Sequence, residues 1–188
     1  MLLKLLKRET HDLHVEAERH VRILDPDATE AQYVRYLQRM YGFHAAIEAA
    51  FADHAELAAA GFDAAGRSKR GLIEADLAIL GAPTGPLASI PDVRGLARGA
   101  GAAYVVEGST LGGAFILAKM PAQRTARFLA GYGDDTGPRW KQFAAVVAQV
   151  TDEAAAIAAA RDTFATLIAW LEEPARPQPR PFFREARA

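Results

Sequence analysis

At 188 residues, with 22 basic against 23 acidic side chains and a formal net charge of −1, the chain is long enough for one well-buried domain and carries no overall field that favours nucleic acid or an anionic membrane. The absence of cysteine excludes disulfides, thiolate metal sites, iron–sulfur clusters and nucleophilic thiols together, leaving histidines, carboxylates and tyrosines as possible metal ligands. The opening apolar run is too short for a signal core and no later stretch reaches about 18 uncharged apolar residues, so a cytoplasmic protein without a membrane span is expected.

Leu6, Leu13, Ala17, Val21 and Leu24 share one helical face, which predicts an amphipathic helix from Leu2 to about Leu24, stopped at Asp25-Pro26. Lys7, His11, His14 and Glu18 form a polar stripe on a neighbouring face. Thr29 is the expected N-cap of a second helix, whose apolar positions Tyr33, Leu37, Met40, His44, Ile47 and Phe51 alternate in threes and fours and so turn His44 toward the core. A third helix carrying Leu72, Ala75, Leu77 and Leu80 runs from about Ser68 to a C-cap at Gly81, with Pro83 just beyond. After a loop to Pro91, the chain is predicted helical from Asp92 to about Lys119, loosened and bent by Gly95, Gly99 and Gly101. Pro121 should open a short helix to about Ala130, Gly131 to Gly137 should turn, and Pro138 suits the first position of a helix bearing Trp140, Lys141 and Phe143. A last, alanine-rich helix is expected from Thr151 to Glu173, with prolines at 174, 177, 179 and 181 keeping the remainder non-helical. Nothing alternates with period two for long enough to make a strand. The fold class is therefore all-α, a single helical domain over residues 1–173 followed by a Pro- and Arg-rich tail at 174–188.

The stretch from Tyr104 to Leu117 puts glycines where helices avoid them. Gly108, Gly112 and Gly113 each cost about 1 kcal/mol relative to alanine in a helix interior. Gly108 and Gly112 are four apart on one face and leave a strip of bare backbone. That strip fits close contact with another helix, or a flat ligand at van der Waals distance.

His14 and Glu18 are also four apart, so the carboxylate can reach one ring nitrogen and leave the other free for a metal. The same spacing suits a solvated surface pair. His11, His14 and Glu18 could instead chelate zinc or non-haem iron, given further ligands from a second helix. His20, His44 and His54 read as surface or satisfied core histidines.

Taken together, three segments resemble a known family. Thr10 to Glu18, with Thr10, His14 and Glu18 at successive fours, is similar to the proximal-helix signature of haem oxygenases; Gly108-Ser109-Thr110-Leu111-Gly112-Gly113 is similar to their distal-helix glycine motif; and Tyr132 to Trp140 is similar to a stretch in bacterial members. The likeness is to the bacterial type, including members associated with bacteriophytochromes. It implies a helical bundle with haem between the N-terminal proximal helix and a bent, glycine-rich distal helix.

The resemblance implies His14 as the axial ligand of haem iron, Glu18 as its orienting partner and Thr10 in the same register, with Gly108, Ser109, Gly112 and Gly113 on the distal side. Anionic haem propionates need cations at the pocket edge: Lys7 lies two turns before His14 on the same side, Lys141 occupies a position similar to a propionate-binding lysine in the family, and Arg139 and Tyr104 are secondary candidates. The activity implied is haem oxygenase: ring opening of haem to biliverdin with release of ferrous iron and carbon monoxide, using dioxygen and electrons from a ferredoxin or other external reductase. No flavin or nicotinamide site is indicated, and a bacteriophytochrome is a possible acceptor of the biliverdin. Two departures stand out. Many members carry aspartate where this chain has Ser109, and some carry arginine where it has Ala145. The alternatives are a non-catalytic haem- or bilin-binding protein, or a non-haem metal oxidase, of the same fold.

Overall fold

The longest of the described helices begins where a capping box forms. Thr29 Oγ1 accepts the Gln32 N–H at 3.3 Å, and Gln32 Oε1 accepts the Thr29 N–H at 2.7 Å, so two otherwise orphaned donors are satisfied reciprocally. The computed structural model describes residues 1–25, 27–119 and 126–172, and no strand occurs among them. Its helices are α1 (Leu2–Glu9), α2 (His11–Arg19), α3 (Glu30–Ala52), α4 (Ala55–Ala59), α5 (Arg70–Ile79), α6 (Leu96–Leu117), α7 (Arg127–Ala130), α8 (Thr136–Val147) and α9 (Glu153–Glu172). The expected stop at Pro26, the helix start at Pro121 and the tail at 174–188 lie outside the described residues.

Every apolar position predicted for α3 is buried. Leu37, His44 and Ile47 have no exposed surface at all. Fully burying a Leu or Ile side chain contributes about 1.5–3 kcal/mol, so this stripe anchors α3 against its neighbour α5. α5 ends as its glycine predicts: Gly81 has φ +63°, the Ala82 N–H reaches Leu77 O at 2.9 Å, and the Gly81 N–H reaches Ala78 O at 3.1 Å. Those two bonds are a Schellman closure, which favours glycine because of the positive φ.

α6 and α9 form the central pair. Both are long and apolar enough to cross a membrane by length and composition, yet they bury small residues against each other. Ala100, Ala103, Ala156 and Ala160 are fully inaccessible. A methyl group on Gly101 would lie 2.1 Å from the Ala156 carbonyl oxygen, so the two backbones approach too closely for any side chain there. At this position the glycine is a helix-packing device.

The N-terminal segment departs from the single helix expected over Leu2 to Leu24. Thr10, with φ −117° and ψ 5°, separates α1 from α2. Its buried hydroxyl donates to Leu6 O at 2.7 Å, satisfying a carbonyl at the end of α1. α2 then stops at Arg19, and Arg22–Leu24 form a separate 3-10 turn. Similarly, α6 starts at Leu96, not Asp92, because Gly95 takes φ +80°, and it runs unbroken to Leu117 despite its glycines. α5 starts two residues later than expected and α8 two residues earlier, so Pro138 falls within the first turn of α8.

Candidate functional site

A cavity of about 340 Å³ opens between α2 and α6, closed laterally by α3, α7 and α9. That volume lies within the range of small-ligand and cofactor sites. α2 contributes His14, Ala17 and Glu18, α6 contributes Tyr104, Gly108, Ser109, Thr110, Gly112 and Gly113, and α9 contributes Phe164 and Leu167.

α2 is held in place by α9. The Arg161 guanidinium donates to both Asp12 carboxylate oxygens at 3.0 Å and also to the Glu9 carbonyl. This two-pronged contact holds the Asp12 carboxyl below its usual pKa and orients the helix through a planar fork. One turn further along α9, Phe164 meets the His14 ring edge-on, with centroids 5.9 Å apart. His14 Nδ1 lies 3.5 Å from Glu18 Oε1, and the two side chains are 53% and 67% exposed. Such an open pair contributes little to stability. It does bias the ring so that Nε2 remains available as a ligand atom.

On the opposite wall the glycines divide into two kinds. A methyl group on Gly108 or Gly112 would meet no atom within 4 Å, whereas one on Gly113 would sit 2.9 Å from the Leu129 carbonyl oxygen. Gly113 therefore lets α6 approach α7, as Gly101 lets it approach α9. Gly108 and Gly112 face open cavity, and neither has a positive φ. Helix geometry does not require glycine at these two positions, and no neighbouring element fills the space.

Lys69, immediately before α5, was not anticipated as a site residue. Its side chain is 1% exposed and lines the cavity. Nζ donates to Val106 O at 3.3 Å and sits 3.8 Å from Glu107 Oε1 and 4.8 Å from the Tyr132 ring centroid. Burial holds the Lys69 pKa below its ordinary value, and the Glu107 and Glu48 carboxylates offset only part of that fall. Glu107 also accepts from Arg67 and, at 2.8 Å, from Tyr132 Oη. A lone carboxylate within the small, apolar run of α6 was the sequence signal for this cluster, because a buried charge of that kind requires a charged partner.

Ser109 Oγ donates to the same Val106 carbonyl at 2.7 Å. Its proton is thus committed to the backbone. Next to it, Thr110 Oγ1 is buried with no hydrogen-bond partner among the described residues and also lines the cavity.

Other expected residues lie elsewhere. Thr10 is buried at the α1–α2 break and does not line the cavity; Lys7 and Lys141 are exposed and also lie off it. α1 and α8 do pack together, at the edge where Tyr104 meets the Trp140 ring at 6.3 Å. Burial raises the Tyr104 pKa, and a side-chain hydrogen bond shared with Thr10 opposes it. Arg139 turns away to donate to Gly66 O at 2.6 Å.

The fit of this cavity to a flat, iron-bearing ligand rests on three features: an imidazole on one wall, a strip without Cβ atoms on the other, and a buried hydroxyl without a partner beside the strip. His11 is exposed and off the cavity, and no group of three His, Asp or Glu side chains placed to hold a metal ion occurs among the described residues.

The family model described as Heme oxygenase matches residues 1–84 and 94–173. Among solved structures, a heme oxygenase from Neisseria meningitidis, determined with NO and CO bound, is similar to the chain at 26% sequence identity and a TM-score of 0.77, over 91% of this chain and 90% of that one. No curated protein matched the sequence.

Proposed function

Because this chain belongs to the haem oxygenase family, we propose that it opens the ring of haem to biliverdin, releasing ferrous iron and carbon monoxide. Bound haem would supply the iron at which dioxygen is activated and the porphyrin carbon that is attacked. His14 Nε2 would hold that iron, with Glu18 orienting the ring through Nδ1. Gly108 and Gly112 would leave the porphyrin the room that a side chain takes elsewhere. The open space at these two glycines, across the cavity from His14, is the observation that carries this reading. Lys7 and Lys141, on the packed helices α1 and α8, supply positive charge for the propionates at the edge marked by Tyr104. Electrons come from a ferredoxin or other external reductase in the cytoplasm, and a bacteriophytochrome is a fitting recipient of the product.

One observation favours a second reading. Ser109 stands where a carboxylate would order water in many members, and its hydroxyl proton is held by Val106 O. A haem- or bilin-binding protein without turnover would tolerate that arrangement. The test is addition of hemin to the full chain, followed by reductant in air, monitored by absorption. Loss of the Soret band with growth of bilin absorption is the expected result. Tight binding with haem left intact by both ascorbate and a ferredoxin system would replace the enzyme with the binding protein.

A further inference from the structure

Lys69 is the only lysine or arginine that lines the cavity among the described residues. An ammonium group has three donors, and one hydrogen bond of Lys69 Nζ is formed among those residues, to Val106 O at 3.3 Å. The nearest carboxylate oxygen, on Glu107, is at 3.8 Å, beyond hydrogen-bond range. Glu107 is already engaged by Arg67 and Tyr132. With the Tyr132 ring centroid at 4.8 Å and the Glu107 ion pair at 3.8 Å as its other contacts, a charged side chain that is 1% exposed keeps donor capacity beside a cavity that it lines.

Desolvation on this scale is costly unless something offsets it. Charges facing Lys69 come from several elements: Glu107 on α6, Glu48 and His44 on α3, Arg67 beside it, and Arg139 on α8. Among them only Lys69 borders the cavity. Its contact with Val106 O, the carbonyl that also holds the Ser109 hydroxyl, places it on the α6 side.

On the premise that the cavity takes haem, we infer that Lys69 is a positioning residue for whatever occupies the iron on the α6 side. Its ammonium holds an anionic or hydrogen-bond-accepting ligand, or the water beside it, at the place where the neighbouring Ser109 carries no charge. The charge is therefore of opposite sign to a distal carboxylate. It acts from the segment before α5, not from α6 itself.

Ligand affinity of the ferric hemin complex of the full chain, read from its absorption spectrum, tests this assignment. Fluoride is the anionic probe and imidazole the neutral one, each titrated into the wild type, Lys69→Met and Lys69→Arg at neutral pH. In a water-poor cavity the loss of one nearby charge should weaken fluoride binding by about tenfold or more, with imidazole affinity changed by less than about twofold and Lys69→Arg close to the wild type. If Lys69→Met does not fold, Lys69→Gln, which keeps a donor for Val106 O, takes its place. Equal losses for both ligands, or no loss for either, would reduce Lys69 to a packing role and overturn the assignment. Failure of wild-type protein to bind hemin at all would overturn the haem reading and this inference with it; normal binding with fluoride indifferent to residue 69 overturns this inference alone.

Discussion

Gly112 and Gly113 are consecutive on α6 yet meet opposite surroundings: a methyl group on Gly113 would lie 2.9 Å from the Leu129 carbonyl oxygen, and one on Gly112 would have no atom within 4 Å. Alanine substitution should therefore act with opposite sign at the two positions. Gly112→Ala keeps an ordinary helical φ and should stabilise the apoprotein by up to about 1 kcal/mol. Gly113→Ala forces α6 and α7 apart and should destabilise it, overpacking of this kind costing about 1–3 kcal/mol. Thermal melts of the two apoproteins decide this. In the hemin complex Gly112→Ala should lose dioxygen affinity or ring opening even as the apoprotein melts higher. Unchanged haem binding and turnover in that variant would remove Gly112 from the site.

His14 and His11 give a paired test on α2. His14 lines the cavity and His11 does not, so His14→Ala should abolish the histidine-ligated Soret spectrum of added hemin and His11→Ala should preserve it. Because the His14 side chain is 53% exposed, its loss should change apoprotein stability by no more than about 0.5 kcal/mol. Glu18→Gln should retain haem but shift the iron–histidine stretching frequency, since the carboxylate lies 3.5 Å from Nδ1. An unshifted frequency would mean that Glu18 is only a solvated neighbour.

The sequence was most legible where one helix carried the whole signal. The three-four spacing of α3, its Thr29 cap and the Gly81 stop of α5 are local patterns with local physics, and His44 faced the core on that spacing alone. The strip at Gly108 and Gly112 was visible, but not what faced it: Gly101, Gly113 and Gly112 look alike in one dimension and differ only in what packs opposite. The break at Thr10 was hidden because threonine is tolerated within helices and its bond to Leu6 O competes quietly with the helical pattern. Lys69 resembled any solvated lysine before a helix. Its partners Val106, Glu107 and Tyr132 lie far along the chain, and only the lone carboxylate at Glu107 hinted that a buried cation had to exist.

His44 and Glu48 make apoprotein stability sensitive to acid. Burial lowers the His44 pKa below its usual 6.5, so the folded state resists a proton that the unfolded chain accepts; stability from this source falls as pH drops below 6.5. Burial pushes the Glu48 carboxyl up, but hydrogen bonds from His44, Ser68 Oγ and the Lys69 N–H outweigh it and hold the pKa at about 2, against 4.5 ordinarily. A depressed carboxyl contributes stability above its unfolded value, and that contribution is lost as pH falls from 4.5 toward 2. From these two groups, melting temperature should thus decline as pH falls below 6.5 and decline more steeply below 4.5. In His44→Gln the decline between 6.5 and 4.5 should shrink relative to the wild type. An identical profile in the two proteins would show that His44 protonation is not the source.

Lys7 and Lys141 are exposed and do not line the cavity, although α1 and α8, which carry them, pack together beside Tyr104. Charges so well solvated act weakly, each contributing about 0.2–1 kcal/mol to an ion pair. The Lys7→Ala/Lys141→Ala double variant should therefore weaken hemin binding by about two- to thirtyfold at low salt, and the difference from wild type should shrink as ionic strength rises. Apoprotein melting should stay within about 0.5 kcal/mol of wild type, as for other surface substitutions. The dimethyl ester of hemin, which lacks the propionate charges, separates this role from a general effect on the cavity. It should bind the double variant and the wild type alike. Equal weakening for hemin and its ester would mean that the two lysines shape the cavity wall and do not pair with propionates; no weakening for either would leave the carboxylates to another cation.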